Sequence, residues 1–435
     1  MRFAHLLLAA ASAGAQPLSL RDAVKTALER HPSLEAARAH TEAARTRVKQ
    51  TEAARLPQLG YTEAFQTGNG PVYAFSTLLA QRRFTAADFA IDSLNHPGFI
   101  NNFQSQVGAS QTLWDAGAAT YRIRAAQLGV SMTEEEHRAL RLRRAADVAR
   151  AYLGVVLAAE GVKVATAAMD SARADLARAE AVRDVGRSTE ADVLAVKVHL
   201  ATMREQEIRR RSEERVARVV LNEAMGLPLD EGHTLSTSLA EVRSAVHQST
   251  VSRPEIRQAE LNRQIAQIQV SVARAALYPQ VKLRGVFEAD RGRFVTRVGA
   301  NWWMGASLEW NLFDGGANRN RLSETSHLAS AAKAKERQVA SAVDVEVRRA
   351  RAALDSATER LAVASEAIAQ AEESLRILKN RYEAGLAAVS DLLRHESALA
   401  EVRMRRLVAI HDQRLSAVGL ELAKGTLSGD SDVLE

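Results

Sequence analysis

At 435 residues the chain is long enough for two or three ordinary domains, yet only 5% of it is aromatic and 25% is charged. That balance excludes a set of compact aromatic cores and favours long solvated helices. Lys plus Arg number 58 against 52 Asp plus Glu, and Arg and Glu interleave at spacings that pair on one helix face, so a net +6 implies no nucleic-acid partner. Cysteine is absent, which excludes disulfide scaffolds and thiolate metal sites.

Arg2 precedes a short apolar run at 6–11, and Ala13-Gly14-Ala15 forms an A-x-A cleavage pattern before Gln16. Residues 1–15 therefore read as a signal peptide. No run of roughly 18 apolar residues occurs, so no helix is expected to span a membrane, and strands must carry any passage through a bilayer.

Residues 16–230 form a first repeat. Helices cover 20–55, broken at His31-Pro32 and ending before Pro57, because the residue before a proline disfavours the helical region. Strands follow at 57–67 and 101–114, joined by a loop of about 67–101. In the second of them Phe103, Val107, Ala109 and Leu113 alternate with Gln104, Gln106, Ser110 and Thr112. A long helix at 117–184 and a return helix at 190–225 complete the unit.

Residues 231–425 repeat the plan, with 426–435 left as a polar tail. Helices cover 239–277 with a break at Arg253-Pro254, strands 279–289 and 294–313, a long helix 317–383 and a return helix 391–424. Pro32 and Pro57 recur as Pro254 and Pro279, an offset of 222, whereas Gly186, Asp192 and Gly226 recur as Gly385, Asp391 and Gly425, an offset of 199. The difference of 23 residues falls in the hairpin loop alone, as suits an exposed surface end.

Both long helices carry a heptad seam. In the second copy Val347, Leu354, Leu361, Ile368, Leu375 and Tyr382 alternate with Ala350, Ala357, Ala364, Ala371 and Leu378. The first copy reads the same from Val148 to Arg183. This 3-4 spacing of large and small residues is the repeat of a supercoiled seam that a partner helix can enter closely. From Gly316 to Tyr382 the rod is about 100 Å long at roughly 1.5 Å per residue, so one long helix pairs with two shorter ones laid end to end.

All four Trp and nine of ten Phe lie in 56–114 or 278–313. Trp114, Trp302, Trp303, Trp310 and Phe313 are thereby expected at the lipid interface of membrane strands, although a small soluble sheet could also hold such rings in its core. Four strands cannot close a barrel, and lipid tolerates no open edge, so subunits must pool their strands. A trimer supplies twelve.

The two tips, Val185-Gly186-Arg187-Ser188-Thr189-Glu190-Ala191-Asp192-Val193-Leu194 and Arg381-Tyr382-Glu383-Ala384-Gly385-Leu386-Ala387-Ala388-Val389-Ser390-Asp391-Leu392-Leu393, resemble the TolC family of outer-membrane efflux proteins. So do the strand exits Leu113-Trp114-Asp115-Ala116-Gly117 and Leu312-Phe313-Asp314-Gly315-Gly316. The resemblance covers nearly the whole mature chain. It implies a mainly α fold with a β-barrel part: a homotrimeric channel with a long coiled-coil α-helical barrel in the periplasm and a 12-stranded barrel in outer-membrane lipid.

The resemblance further implies a conduit of a tripartite efflux or type I secretion system of a Gram-negative bacterium. Its closed tip would open when a periplasmic membrane-fusion adaptor and an inner-membrane pump engage it. Asp391 matches the acidic ring at the constriction, Asp192 is its first-repeat equivalent, and Tyr382 matches a position that latches neighbouring helix pairs. Many relatives carry a second acidic residue where this chain has Arg394, which leaves a double acidic ring without its second carboxylate. The turns at Val185, Gly186, Arg187, Ala384, Gly385 and Leu386 match the segments that dock with adaptor hairpins. For Asp391, helix capping is the competing role, since Asp is a favoured cap residue.

No cofactor, metal or catalytic constellation is implied. The eleven His are scattered, His395-Glu396 lacks the second histidine of H-E-x-x-H, and there is no phosphate loop, so an enzyme is not expected. The other reading is a soluble periplasmic coiled-coil adaptor or scaffold, but such an adaptor would carry one hairpin flanked by compact β domains rather than two copies with amphipathic strands.

Overall fold

The computed structural model describes residues 17–186, 188–241, 251–295 and 299–435. The expected signal peptide at 1–15, Arg187 of the first tip and residues 242–250 of the expected 239–277 helices lie outside the described residues. The described residues form two compact units, a helical one drawn from 17–39, 134–258 and 337–435 and a sheet-bearing one drawn from 40–133 and 259–336.

In the sheet-bearing unit, β1 (Gln58–Gly68), β2 (Ile100–Trp114), β3 (Gln280–Arg291) and β4 (Gly299–Glu309) pair antiparallel in chain order. The register sorts the side chains by face. Tyr61 stands opposite Val107, Val107 opposite Phe287, and Phe287 opposite Trp302. All four are exposed. One residue along, the row reads Thr62, Gln106, Glu288 and Asn301. The sheet thus has an outward apolar face backed by a polar one, the arrangement of a barrel wall in lipid.

Of the expected strand 294–313, residues 296–298 lie outside the described residues, and β4 stops short of 313. It ends where its partner ends, because Glu309 pairs with Gln280 and the residue before that is Pro279, which has no N–H to offer. Trp310, Leu312 and Phe313 therefore lie beyond the strand. The 67–101 segment, expected as a loop, is folded. It contains α3 (Pro71–Ala80), a short turn of helix at Ala86–Phe89 and α4 (Ile91–Asn95). Phe75, Phe84 and Phe89 stack edge to face at 4.9 and 5.0 Å. α3 approaches β4 so closely that a Cβ on Gly299 would sit 1.8 Å from the Ala80 carbonyl oxygen.

The strand exits share one device. Asp115 accepts from the N–H groups of Gly117 and Ala119 at 3.1 and 2.7 Å, and Asp314 from those of Gly316 and Asn318 at 3.0 and 2.9 Å. Each carboxylate satisfies donors that a helix start leaves free, and so launches α5 (Ala118–Asp184) and α8 (Ala317–Glu383).

The helical unit is built on α1 (Leu20–Arg30), α6 (Glu190–Met225), α9 (Val389–Lys424) and the larger parts of α5 and α8, while α2 (Pro32–Glu52) and α7 (Pro254–Ala275) each begin in this unit and end in the sheet-bearing one. Leu20, Val24 and Ala27 of α1 pack on Val148, Tyr152 and Val155 of α5, with Met225 of α6 and Val418 of α9. The Tyr152 hydroxyl donates to the Leu18 carbonyl at 2.7 Å and accepts from the Thr237 N–H at 3.1 Å. Along α8, every seam position from Val347 to Tyr382 is buried or half-buried. The 426–435 segment is not merely polar: Leu427, Val433 and Leu434 enter this core, and Lys25–Asp430 and Arg21–Glu435 ion pairs at 2.8 and 2.9 Å fasten it to α1.

The expectation that no helix is apolar enough to span a membrane has one exception. An 18-residue window of α5 has mean hydropathy 1.4. Leu153, Val155 and Val156 of the same helix are buried in the helical core, and 39% of the window is buried.

Candidate functional site

The site is the end of the helical unit where α5 turns into α6 and α8 into α9. Gly186 and Gly385 adopt φ of +74° and +72°, the left-handed conformation that stops a helix and that glycine takes without a Cβ penalty. Gly385 N–H donates to Tyr382 O at 2.9 Å, and Leu386 N–H to Arg381 O at 2.8 Å, closing the last carbonyls of α8. Among the described residues, nothing beyond the chain neighbours lies within 4 Å of a Cβ built on either glycine, so both turns face open space. Val185 and Leu386 are 69% and 70% exposed, and Ala384 is exposed beside Gly385.

The two carboxylates expected at a gate do different things. Asp192 is the third residue of α6 and closes a capping box with Thr189. Its Oδ2 accepts from the Thr189 N–H at 3.0 Å, the Thr189 hydroxyl at 2.8 Å and the Ser188 hydroxyl at 3.1 Å. The hydrogen bonds from Thr189 backbone and side chain hold its carboxyl below the usual range. Asp391 caps nothing: the residue before α9 is Ala388, without a side-chain cap. Instead Asp391 is half-exposed and pairs with Arg394 at 3.5 Å. The capping weighed for Asp391 therefore falls on its first-repeat equivalent.

Tyr382 is half-buried in a small apolar cluster that draws on all four helices: Leu176 and Ala179, Val193 and Val196, and Val389 and Leu393. Burial raises its phenol above the ordinary range, helped by the Asp192 and Asp175 carboxylates. Arg183, at the end of the first seam, ties Asp184 at 2.7 Å to Glu190 at 3.3 Å across the turn.

A second group on the same elements escaped sequence reasoning. Asp175 of α5 is 5% exposed, and the carboxyl of Glu396 of α9 is pushed up to about 7, first by burial and then by Asp175. His199 of α6 lies 3.9 Å from Glu396. A signal existed, because Glu396 interrupts the apolar row Val389, Leu392, Leu393 and Leu399 at helical spacing, and Asp175 adjoins the seam pair Ala172 and Leu176.

The interface aromatics are dispersed. Trp302 is 75% exposed on the apolar face of the sheet. Trp303 points to the opposite face, where the Arg284 guanidinium lies 5.8 Å from its ring centre. Trp114 closes β2 next to a bulge. Trp310 lies past β4 and donates from Nε1 to Leu277 O at 3.2 Å, and Phe313 is exposed beyond it.

Four amphipathic strands and duplicated helical hairpins with open tips define a channel-forming subunit of the outer membrane. The sequence profile of the outer membrane efflux protein family matches residues 23–227 and 245–426, one stretch for each repeat, and the chain belongs to that family. It is 27% identical over 380 residues to protein CyaE of Bordetella pertussis, covering 81% of this chain and 76% of that one. To outer membrane protein OprJ of Pseudomonas aeruginosa it is 26% identical over 379 residues, covering 84% and 75%. Its fold matches the Campylobacter jejuni CmeC outer membrane channel with a TM-score of 0.79 at 19% identity, over 95% of this chain and 87% of that one. The open state of the Neisseria gonorrhoeae MtrE outer membrane channel matches at 0.76 and 20%, over 95% and 92%. The protein is thus an outer-membrane channel whose helical part is periplasmic.

Proposed function

We propose that three copies of the chain pool their strands into a twelve-stranded barrel and their helices into a periplasmic duct, and that this duct is the exit of a tripartite efflux or type I secretion assembly. The observation that carries the trimer is the sheet itself: its apolar face is exposed across all four strands, and β1 and β4 each present an unpaired edge. An open edge leaves backbone groups unsatisfied in lipid, and pairing with a neighbour's edge removes that cost.

Passage is controlled at the tips. Asp391, Asp192, Tyr382 and Arg394 form the gate: three Asp391 carboxylates on a common axis repel one another, and the Arg394 beside each offsets part of that charge. The two turns, Val185-Gly186-Arg187 and Ala384-Gly385-Leu386, are the docking surface for a periplasmic adaptor working with an inner-membrane pump. Apolar side chains exposed on glycine turns, Val185 and Leu386, suit capture of another helical hairpin. Trp302 anchors the barrel at the lipid interface, together with Trp114, Trp310 and Phe313 near the strand ends, whereas Trp303, beside Arg284 on the opposite face, is not part of that belt.

The test is the mass of the detergent-extracted protein, followed by its conductance in planar bilayers. A trimer of low conductance that rises severalfold in Asp391→Ala is expected. A monomer without conductance in either form would sink the duct, and a trimer whose conductance ignores Asp391 would sink the gate.

A further inference from the structure

Ser171, one turn before Asp175 on the same face of α5, donates its hydroxyl to Glu396 Oε1 of α9 at 3.1 Å, which brings the carboxyls of Asp175 and Glu396 to one place between the first helical hairpin and the second. Asp175 Oδ2 and Glu396 Oε2 are both buried, and neither has a hydrogen-bond partner among the described residues. Two carboxylates cannot satisfy one another, because each only accepts, but a single proton held between them satisfies both atoms at once.

The surroundings leave that proton in place. From α5, the Ser171 hydroxyl donates to Glu396 Oε1 at 3.1 Å, and Arg178 lies 3.0 Å from Asp175 Oδ1, so Asp175 has a counter-charge while Glu396 has none in contact. From α6, His199 is beyond hydrogen-bond reach at 3.9 Å, and its own burial favours the neutral ring. From α8, Lys379 favours the charged form of Glu396, as a weaker influence than burial and Asp175. From α9 itself, Arg403 is occupied by Glu372 at 2.8 Å. A cavity of about 60 Å³ touches Ser171, His199, Glu396 and Arg403, room enough for water to carry the proton away. Among the described residues no three His, Asp or Glu side chains are placed to hold a metal ion, so the partner these two oxygens fit is a proton.

We propose that Asp175 and Glu396 are a proton-operated latch between the two helical hairpins of one subunit, closed when they share one proton and loosened when the proton leaves to water. Glu396 directly follows His395, whose Nδ1 hydrogen-bonds the Asp391 carbonyl at 2.9 Å, so loosening frees the stretch of α9 that carries Asp391. Only that last consequence rests on the gating reading above. A carboxyl held at about 7 when latched and near 4.5 when free binds more protons in the latched state. The latch is therefore at full strength below about 4.5 and is lost as pH rises through about 7.

The chain has no cysteine, so spin labels can be placed at will. The experiment uses the full-length protein in detergent, in which a chain carrying Ala181→Cys on α5 and Ser390→Cys on α9 is diluted with unlabelled chains. Two quantities are followed from pH 5 to 9: the infrared band of protonated carboxyl groups and the label-to-label distance. The band should vanish with a midpoint near 7 while the distances lengthen and broaden over the same range. In Glu396→Gln, which keeps the shape and supplies a permanent donor, both should be flat. In Asp175→Asn the band's midpoint should move down. A missing band, distances that ignore pH, or distances in Glu396→Gln that still follow pH would each overturn the latch. Neither readout requires conductance, so the latch stands or falls independently of the duct.

Discussion

At Asp192 one carboxylate oxygen gathers three donors from Thr189 and Ser188, and the Thr189 hydroxyl in turn accepts from the Asp192 N–H at 3.2 Å. This reciprocal box seats the first turn of α6 at the tip. Asp192→Ala removes it and should cost about 1 kcal/mol, the usual loss for a helix cap. The loss should show as faster proteolysis at the 185–195 turn with the mass of the detergent-extracted protein unchanged. The pH sign is opposite to that at Glu396. The Asp192 carboxyl is depressed below its ordinary value, so its contribution is complete above that ordinary value and disappears as pH falls through the depressed one. Tip protection in the wild type should therefore be lost in acid along this branch, and Asp192→Asn should be insensitive to the same titration.

The elements repeat a common solution with different tolerances. α6 and α9 each end on a left-handed glycine, Gly226 at φ +73° and Gly425 at φ +75°. Each lies against the backbone just ahead of a proline that opens a helix, Pro32 or Pro254. A Cβ on Gly226 would stand 2.9 Å from His31 Cα, and one on Gly425 only 2.4 Å from Ser252 O. Gly385 has the same backbone angle and free space around it. Gly385→Ala should therefore lose only the conformational cost of about 1–2 kcal/mol, whereas Gly425→Ala adds a collision with backbone and should lose about 2–4 kcal/mol. Thermal melts of the two variants in detergent would rank them, and equal losses would contradict the close approach of Ser252 to Gly425.

The same elements show what could be read from the chain alone. The seam from Val347 to Tyr382 was legible because a packed helix face imposes its period on the residues, and the turns were legible because only glycine stops a helix so cheaply. The 67–101 segment was not, since its helices are short and owe their form to contacts such as Gln81 donating to Asn102 and to Asn101 O at 3.0 and 2.8 Å. Trp303 and Trp302 are neighbours in sequence, and strand geometry alone sends them to opposite faces; treating both as one aromatic belt ignored the period of two. Val433 and Leu434 gave too short an apolar signal to reveal that a charged tail folds back into the core.

At the scale of the whole molecule, the proposed barrel closes only if β1 of one subunit pairs with β4 of the next. Within one chain these strands are the two outer edges, separated by β2 and β3. Three strand spacings of about 4.8 Å put them about 14 Å apart, well beyond the roughly 7 Å between Cα atoms that a disulfide can bridge. A disulfide between β1 and β4 must therefore join two subunits. Tyr61→Cys on the apolar face, combined in turn with Trp302→Cys, Met304→Cys or Ala306→Cys on the same face, scans the register of that junction. At one of these positions mild oxidation should yield covalent dimers and trimers on denaturing gels, because each subunit offers one β1 and one β4 and a ring of three uses every edge. Single variants should yield none at all from this face, since no β1 is expected to meet another β1. If no combination cross-links, or if β1 variants cross-link to one another, subunits do not close edge to edge in this order and the twelve-stranded barrel fails with it.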